Sequence, residues 1–252
     1  MDQIFSAFDL NTLNWILFFI CGVLVGTSKM GIAGMGMVVI PTLAHIFGGK
    51  LSTGILLPIL VFADIIAVRY YNRHAEWKHL WRLLPWTIAG VFLGLYVGDQ
   101  ISDVQFKKVL SVIIILSILL MLWQNRKGKS LVIPDYWWLA GITGLAGGFA
   151  TMVGNAAGPL MAIYLLAMRM PKNEFIGTGA WFFLIINIFK IPLHVVFWET
   201  ITLETFLLDL LLLPAVFIGA LFGLYVVKKI PEKIYRTFVI VITIVSALAL
   251  FF

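Results

Sequence analysis

Hydrophobic positions fall in long unbroken runs with little polar punctuation between them. The first run, Leu13 to Phe47, covers about 35 residues, well beyond the roughly 20 that one bilayer crossing takes. Its middle reads Gly26-Thr27-Ser28-Lys29-Met30-Gly31-Ile32-Ala33-Gly34-Met35-Gly36, with Pro41 further on. Glycines, hydroxyls and a lysine inside an apolar run predict a broken helix, with segments over 13–28 and 32–47. Backbone can leave a helix at that depth only where it is buried in protein or lines a wet cavity. The break is therefore the first candidate binding site.

Further segments follow at 52–70, 83–98, 106–123, 136–152, 156–168, 175–198, 204–227 and 234–252. Tyr71 to Arg82 carries Trp77 and Trp81 among basic residues and predicts an interfacial helix with aromatic anchors. Gln124 to Asp135 is the most polar linker. A second break is expected at Thr151-Met152-Val153-Gly154-Asn155-Ala156-Ala157-Gly158-Pro159, between segments six and seven.

The second half repeats the first. Pro85, Gly90, Gly94, Leu95, Tyr96 and Val97 recur at the same spacing as Pro214, Gly219, Gly223, Leu224, Tyr225 and Val226. Segments three and eight each open on Thr-Gly, at Thr53-Gly54 and Thr178-Gly179. Self-similarity at this scale points to an internal repeat. The boundaries expected are 1–124 for the first repeat, 125–135 for a cytoplasmic linker and 136–252 for the second repeat.

Charge orients the two copies. The loops at Arg69–Arg82, Arg126–Lys129, Arg169–Lys172 and Lys228–Arg236 are basic and read as cytoplasmic. The N-terminus, the Asp99–Lys108 loop and the loop with Glu199 and Glu204 read as outside. An odd number of segments per copy then turns the second copy upside down. The predicted fold is all-α integral membrane, with two inverted-topology repeats of about five segments, each beginning with a broken or re-entrant hairpin.

Composition agrees. Of 252 residues 62% are hydrophobic and 12% charged, where soluble domains carry about 25% charged residues. Mean hydropathy is +1.03. The expected location is the cell (inner) membrane, multi-pass. The formal net charge of +6 reflects cytoplasmic loops rather than nucleic-acid binding. A single cysteine, Cys21, leaves no internal disulfide, and no Cys/His group has metal spacing. Asp2 and Asp9, with no basic residue before Leu13, read against a cleavable signal. No cofactor is expected. The partners expected are a small anion and the lipid bilayer, with a homodimer as an open alternative.

The candidate chemistry lies at the breaks. An ammonium near the bilayer centre costs about 2.5–3.5 kcal/mol, which a bound anion would offset; Lys29 could instead lie at a hairpin tip and snorkel. Short helices starting at Gly31, Gly34 and Gly36, and at Gly154, Ala156 and Gly158, would aim unpaired N–H groups at a cavity. Glycine also serves plain helix packing. Ser28 and Asn155 could donate to the same anion, while Thr151 is expected to bond its own broken backbone. Asn187, Lys190 and His194 share one helical face, with Lys190 well inside its span and His194 expected near the outer interface. Asp64 and Asp209 could relay protons or form structural ion pairs. No nucleophile has a recognisable hydrolase context.

These residues resemble a known family, the TauE/SafE group of sulfite exporters and toluenesulfonate-uptake permeases. The shared pattern is Gly26-Thr27-Ser28-Lys29-x-Gly31-x-x-Gly34-x-Gly36 with Pro41, then Ser52-x-Gly54 and Leu57-Pro58 before Asp64. In the second half it is Gly154-Asn155-x-x-Gly158-Pro159, then Gly177-Thr178 leading to Asn187-x-x-Lys190. The second break, Gly154-Asn155-Ala156, departs from the glycine-triplet form common in the family. The resemblance implies a carrier of small sulfur-containing or carboxylic anions, such as sulfite, sulfoacetate or other organosulfonates. The substrate-binding residues expected are Lys29, Ser28, Gly34, Gly36, Gly154, Asn155, Asn187 and Lys190, with Asp64 or Asp209 the proton-coupling candidate in the case of uptake. The expectation is alternating access with export as the default direction and no enzymatic activity. A passive anion channel and a membrane-embedded enzyme or assembly factor are the alternatives.

Overall fold

A computed structural model describes residues 8, 10–32, 35–106, 108–109, 112, 137–231, 234–235, 237 and 241. Among the described residues the regular structure is helical, with no strand. The helices are α1 (Thr12–Lys29), α2 (Gly36–Phe47), α3 (Gly49–Tyr71), α4 (Trp77–Gln100), α5 (Trp137–Gly154), α6 (Gly158–Ala167), α7 (Lys172–Val196) and α8 (Leu203–Lys229). A 3₁₀ turn, Asn72–His74, joins α3 to α4. By length and composition α1, α3 with its turn, α4, α7 and α8 can cross a membrane, and α2 and α6 are shorter apolar helices. Both expected breaks are present. The expected linker 125–135 lies outside the described residues, as do nearly all of segments 106–123 and 234–252.

Local chemistry sets the ends. Asn11 caps α1, its side chain accepting the Asn14 N–H at 2.8 Å. Gly48, at φ +93°, is the single residue between α2 and α3, a conformation that favours glycine. Thr202 and Thr205 form a reciprocal cap at the start of α8.

Tyr71–Arg82 is not a separate interfacial helix. Tyr71 ends α3, and Trp77–Arg82 forms the first turns of α4, which continues through Pro85. Nothing between Arg82 and Pro85 terminates a helix, and prolines are tolerated inside membrane helices because neighbouring groups satisfy the freed backbone. Trp77 and Trp81 are nonetheless exposed, as anchors would be.

Two close helix contacts frame the molecule. In the α1–α8 contact, a Cβ at Gly26 would overlap the Val216 carbonyl, and one at Gly219 would overlap the Val23 carbonyl. Thr27 Oγ1 donates across it to the Gly219 carbonyl at 3.1 Å. In the α4–α5 contact, a Cβ at Gly148 would overlap the Thr87 carbonyl, and one at Gly90 the Leu145 carbonyl. Gly223 and Gly94 extend the two contacts by one turn, onto Thr27–Met30 and Phe149–Met152. Lipid gives apolar helices no hydrophobic reason to associate, so backbone approach through small residues takes that role.

Among the described residues helix α3 is the most buried of these spans, and it lies against α7. Gly54 of α3 packs on Thr200, in the α7–α8 connection; Gly177 of α7 packs on Tyr71, the last residue of α3, and on His74 in the turn after it. Gly54 and Gly177 thus make similar contacts, each at the end of the facing helix or just past it, whereas Gly179 meets only the Leu165 side chain at ordinary distance. The outer surface carries exposed large apolar groups, among them Phe92, Phe217, Phe222 and Ile142, as a lipid-facing surface requires.

Candidate functional site

At the first break α1 ends at Lys29, and Gly31, at φ +112°, turns the chain away. At the second, α5 ends at Gly154 and Asn155 adopts φ +54°. Asparagine is among the few non-glycine residues that visit this region readily. Helices α2 and α6 then begin with no side-chain cap, α6 with Pro159 in its first turn. The first N–H groups of a helix have no partner within it.

Both breaks face one cavity of about 130 Å³. Ser28, Lys29 and Gly36 line it from the first break, and Thr151, Asn155 and Gly158 from the second. Asn187 reaches it from α7. The rest of the wall is largely apolar, with Val39, Leu60 and Phe183 among its members.

Lys29 turns inward instead of snorkelling. Its Nζ lies 2.8 Å from Asp64 Oδ1 and 4.2 Å from the centroid of the Phe183 ring. Asn187 Nδ2 donates to Asp64 Oδ2 at 2.7 Å. Asp64 is fully buried and does not line the cavity, while Lys29 keeps 13% of its side chain exposed. The carboxylate thus holds from behind two donors that face the cavity.

Lys190 is also fully buried and does not line the cavity. Its Nζ donates to the Thr151 carbonyl at 2.8 Å, to Thr151 Oγ1 at 3.0 Å and to Asn155 Oδ1 at 2.6 Å. Asn155 Nδ2 in turn donates to the Thr53 carbonyl at 3.0 Å. Thr151 therefore serves Lys190 and not its own broken backbone alone. Its carbonyl lies in the last turn of α5, where a cation is favourable.

The structure gathers Ser28, Lys29, Gly36, Asn155 and Asn187 around the cavity, with Asp64 and Lys190 directly behind. Gly154 is buried at the end of α5 and does not line it. Gly34 lies outside the described residues. Asp209 is fully buried away from the cavity wall, and neither of its oxygens has a hydrogen-bond partner among the described residues. His194, expected near the outer interface, is fully buried against Trp198, its Nδ1 2.9 Å from Thr200 Oγ1. Phe183 and the Thr53 carbonyl escape sequence reasoning, since an aromatic or a backbone oxygen in an apolar run carries no signal of its own.

Neither curated proteins nor solved structures give a match to this chain. A family model described as sulfite exporter TauE/SafE matches residues 18–250. The match takes in both breaks, the cavity between them and the helices that hold it. The chain thus belongs to the sulfite exporter TauE/SafE family, and is a multi-pass membrane transporter.

Proposed function

We propose that the protein is a secondary transporter of small anions, foremost sulfur-containing ones such as sulfite, sulfoacetate or other organosulfonates, in the cell (inner) membrane. The observation that carries this reading is the single cavity onto which both helix breaks face, with the Lys29 ammonium in its wall. Lys29 and Asn187 would bind the anion directly. Ser28 and the uncapped starts of α2 and α6 would add donors. Lys190 would act through Asn155 and Thr151, which it holds.

Inverted repeats would supply the movement. Each half runs from a broken hairpin to two long helices, with lengths of 18, 12, 23 and 24 residues in the first and 18, 10, 25 and 27 in the second. Alternating access would rock one element against the other around the fixed site. An inside-negative potential of about 100 mV favours exit of each negative charge by about 2.3 kcal/mol, so export is the default direction.

Efflux of labelled sulfite from proteoliposomes tests the proposal. Saturable efflux is expected, reduced by about tenfold or more in Lys29→Ala, the scale of one lost charged contact. Currents in planar bilayers far above carrier turnover would point to a channel instead. Absence of any sulfite or sulfonate flux with the wild-type protein would falsify the transport reading.

A further inference from the structure

The cavity holds more positive charge than it presents. Lys29 approaches from α1, where it pairs with Asp64, and Lys190 from α7, where it holds Thr151 and Asn155. Asp64 engages Lys29 through Oδ1 and Asn187 through Oδ2. Its carboxylate takes one N–H from each of the two donors that an incoming headgroup needs, leaving the others, and it cancels one lysine charge. Lys190 has three oxygen partners, matching the three N–H groups of an ammonium, and none of the three is ionised. Among the described residues one positive charge is left for the substrate.

The wall adds a second constraint. Among the described residues, apart from Ser28, Lys29, Thr151, Asn155 and Asn187, it is made of small and apolar residues, including Ile40, Leu60, Met161 and Phe183. The cost of desolvating an ion grows with the square of its charge, and must be met by fixed donors and counter-charges. A divalent anion finds too few of either here. A compact apolar group finds ample contact, since an apolar cavity of about 150 Å³ accommodates benzene.

We propose that Asp64 fixes the valence of the substrate: the site takes a monovalent anion with a compact apolar body and discriminates against divalent anions. This rests on the anion-transport reading above and narrows it: organosulfonates with a single charge are favoured, while sulfoacetate and the sulfite dianion, each divalent, rank with sulfate. Asp64 is a specificity-determining residue that acts through Lys29 and Asn187.

Calorimetric titration of the purified full chain in detergent, at neutral pH and constant ionic strength, tests it. Benzenesulfonate and sulfate are the probes, both fully ionised, one monovalent with a ring and the other divalent. Wild type is expected to bind benzenesulfonate at least about tenfold more tightly than sulfate. In Asp64→Asn the cavity gains a full charge, and the ratio should fall by about tenfold or more, while Asp64→Glu keeps it. Sulfate binding to wild type as tightly as benzenesulfonate overturns the proposal, and that measurement needs no variant. An unchanged ratio in a folded Asp64→Asn protein also overturns it. If neither probe binds wild type, or both bind without the ranking, the valence assignment falls, and the sulfite efflux above decides the transport reading separately.

Discussion

The contact of α1 with α8 and that of α5 with α4 are built to one plan, yet the breaks they carry are charged in opposite ways. Gly26 and Gly148 each meet a carbonyl two residues beyond a proline, Val216 after Pro214 and Thr87 after Pro85. Three residues past these glycines stand Lys29 and Thr151. In the first half the cation is on the broken helix and its partner, Asp64, on the long one. In the second half the cation, Lys190, is on the long helix and its neutral partners are on the break. The glycine contacts match and the charges beside them do not. Packing tolerates no variation where backbones touch, whereas a cavity can draw its charge from either wall.

The sharpest test of that asymmetry is the removal of each lysine. Lys29→Met strips Asp64 of its cation and leaves a buried carboxylate held by Asn187 alone. Breaking a buried pair on one side costs about 3–5 kcal/mol, and unfolding in detergent should show it. The same change made in an Asp64→Asn background should cost far less, since nothing ionised is then stranded. A loss of equal size in both backgrounds would remove the ion pair from the account.

The shared frame makes the next prediction. Gly26→Ala and Gly148→Ala each push a methyl group into a facing carbonyl. Overpacking of this kind costs about 1–3 kcal/mol, and a backbone obstacle puts both changes near the upper end. The two losses should agree to within about 1 kcal/mol if the contacts are equivalent. One tolerated and one ruinous substitution would break the equivalence.

Lys190→Met should cost less than Lys29→Met, about 2 kcal/mol. It leaves the Thr151 carbonyl and Asn155 Oδ1 short of a donor, and both are neutral. Its larger effect should appear in transport, because the wall at Asn155 is no longer held. A stability loss as great as that of Lys29→Met would mean that the two halves are charged alike after all.

These differences mark how far the chain could be read without coordinates. Both breaks are visible in the sequence, because glycine clusters with Lys29 or Asn155 have no other place in an apolar run. The repeated Pro85–Val97 and Pro214–Val226 patterns are visible too, since close contacts demand glycine at fixed spacing. The pairing of Lys29 with Asp64, and of Lys190 with Thr151, is not. These partners are on different helices, and no local periodicity relates them. Lys190 is fixed on an inward helical face by its spacing from Asn187, yet the same spacing cannot say whether it reaches the cavity or stops behind it. Tyr71–Arg82 misleads for a similar reason: anchor residues look alike at the start of a span and on a separate surface helix.

The smallest effect isolates the backbone of the second break. Asn155 sits at φ +54° and bridges Lys190 to the Thr53 carbonyl. Asn155→Gly keeps the conformation without strain and deletes both hydrogen bonds. Asn155→Ala deletes them and adds the left-handed penalty of about 1–2 kcal/mol. The two variants should therefore differ by about 1 kcal/mol in unfolding, with Ala the less stable, although alanine is ordinarily the better helix residue. No such reversal exists at the first break, where Gly31 already has φ +112° and bears no side chain. Equal stability of the two Asn155 variants would mean that the turn relaxes out of the left-handed region once its bridges are gone. The hydrogen bonds from Lys190, and not the residue's own tolerance, would then be what holds the second break open toward the cavity.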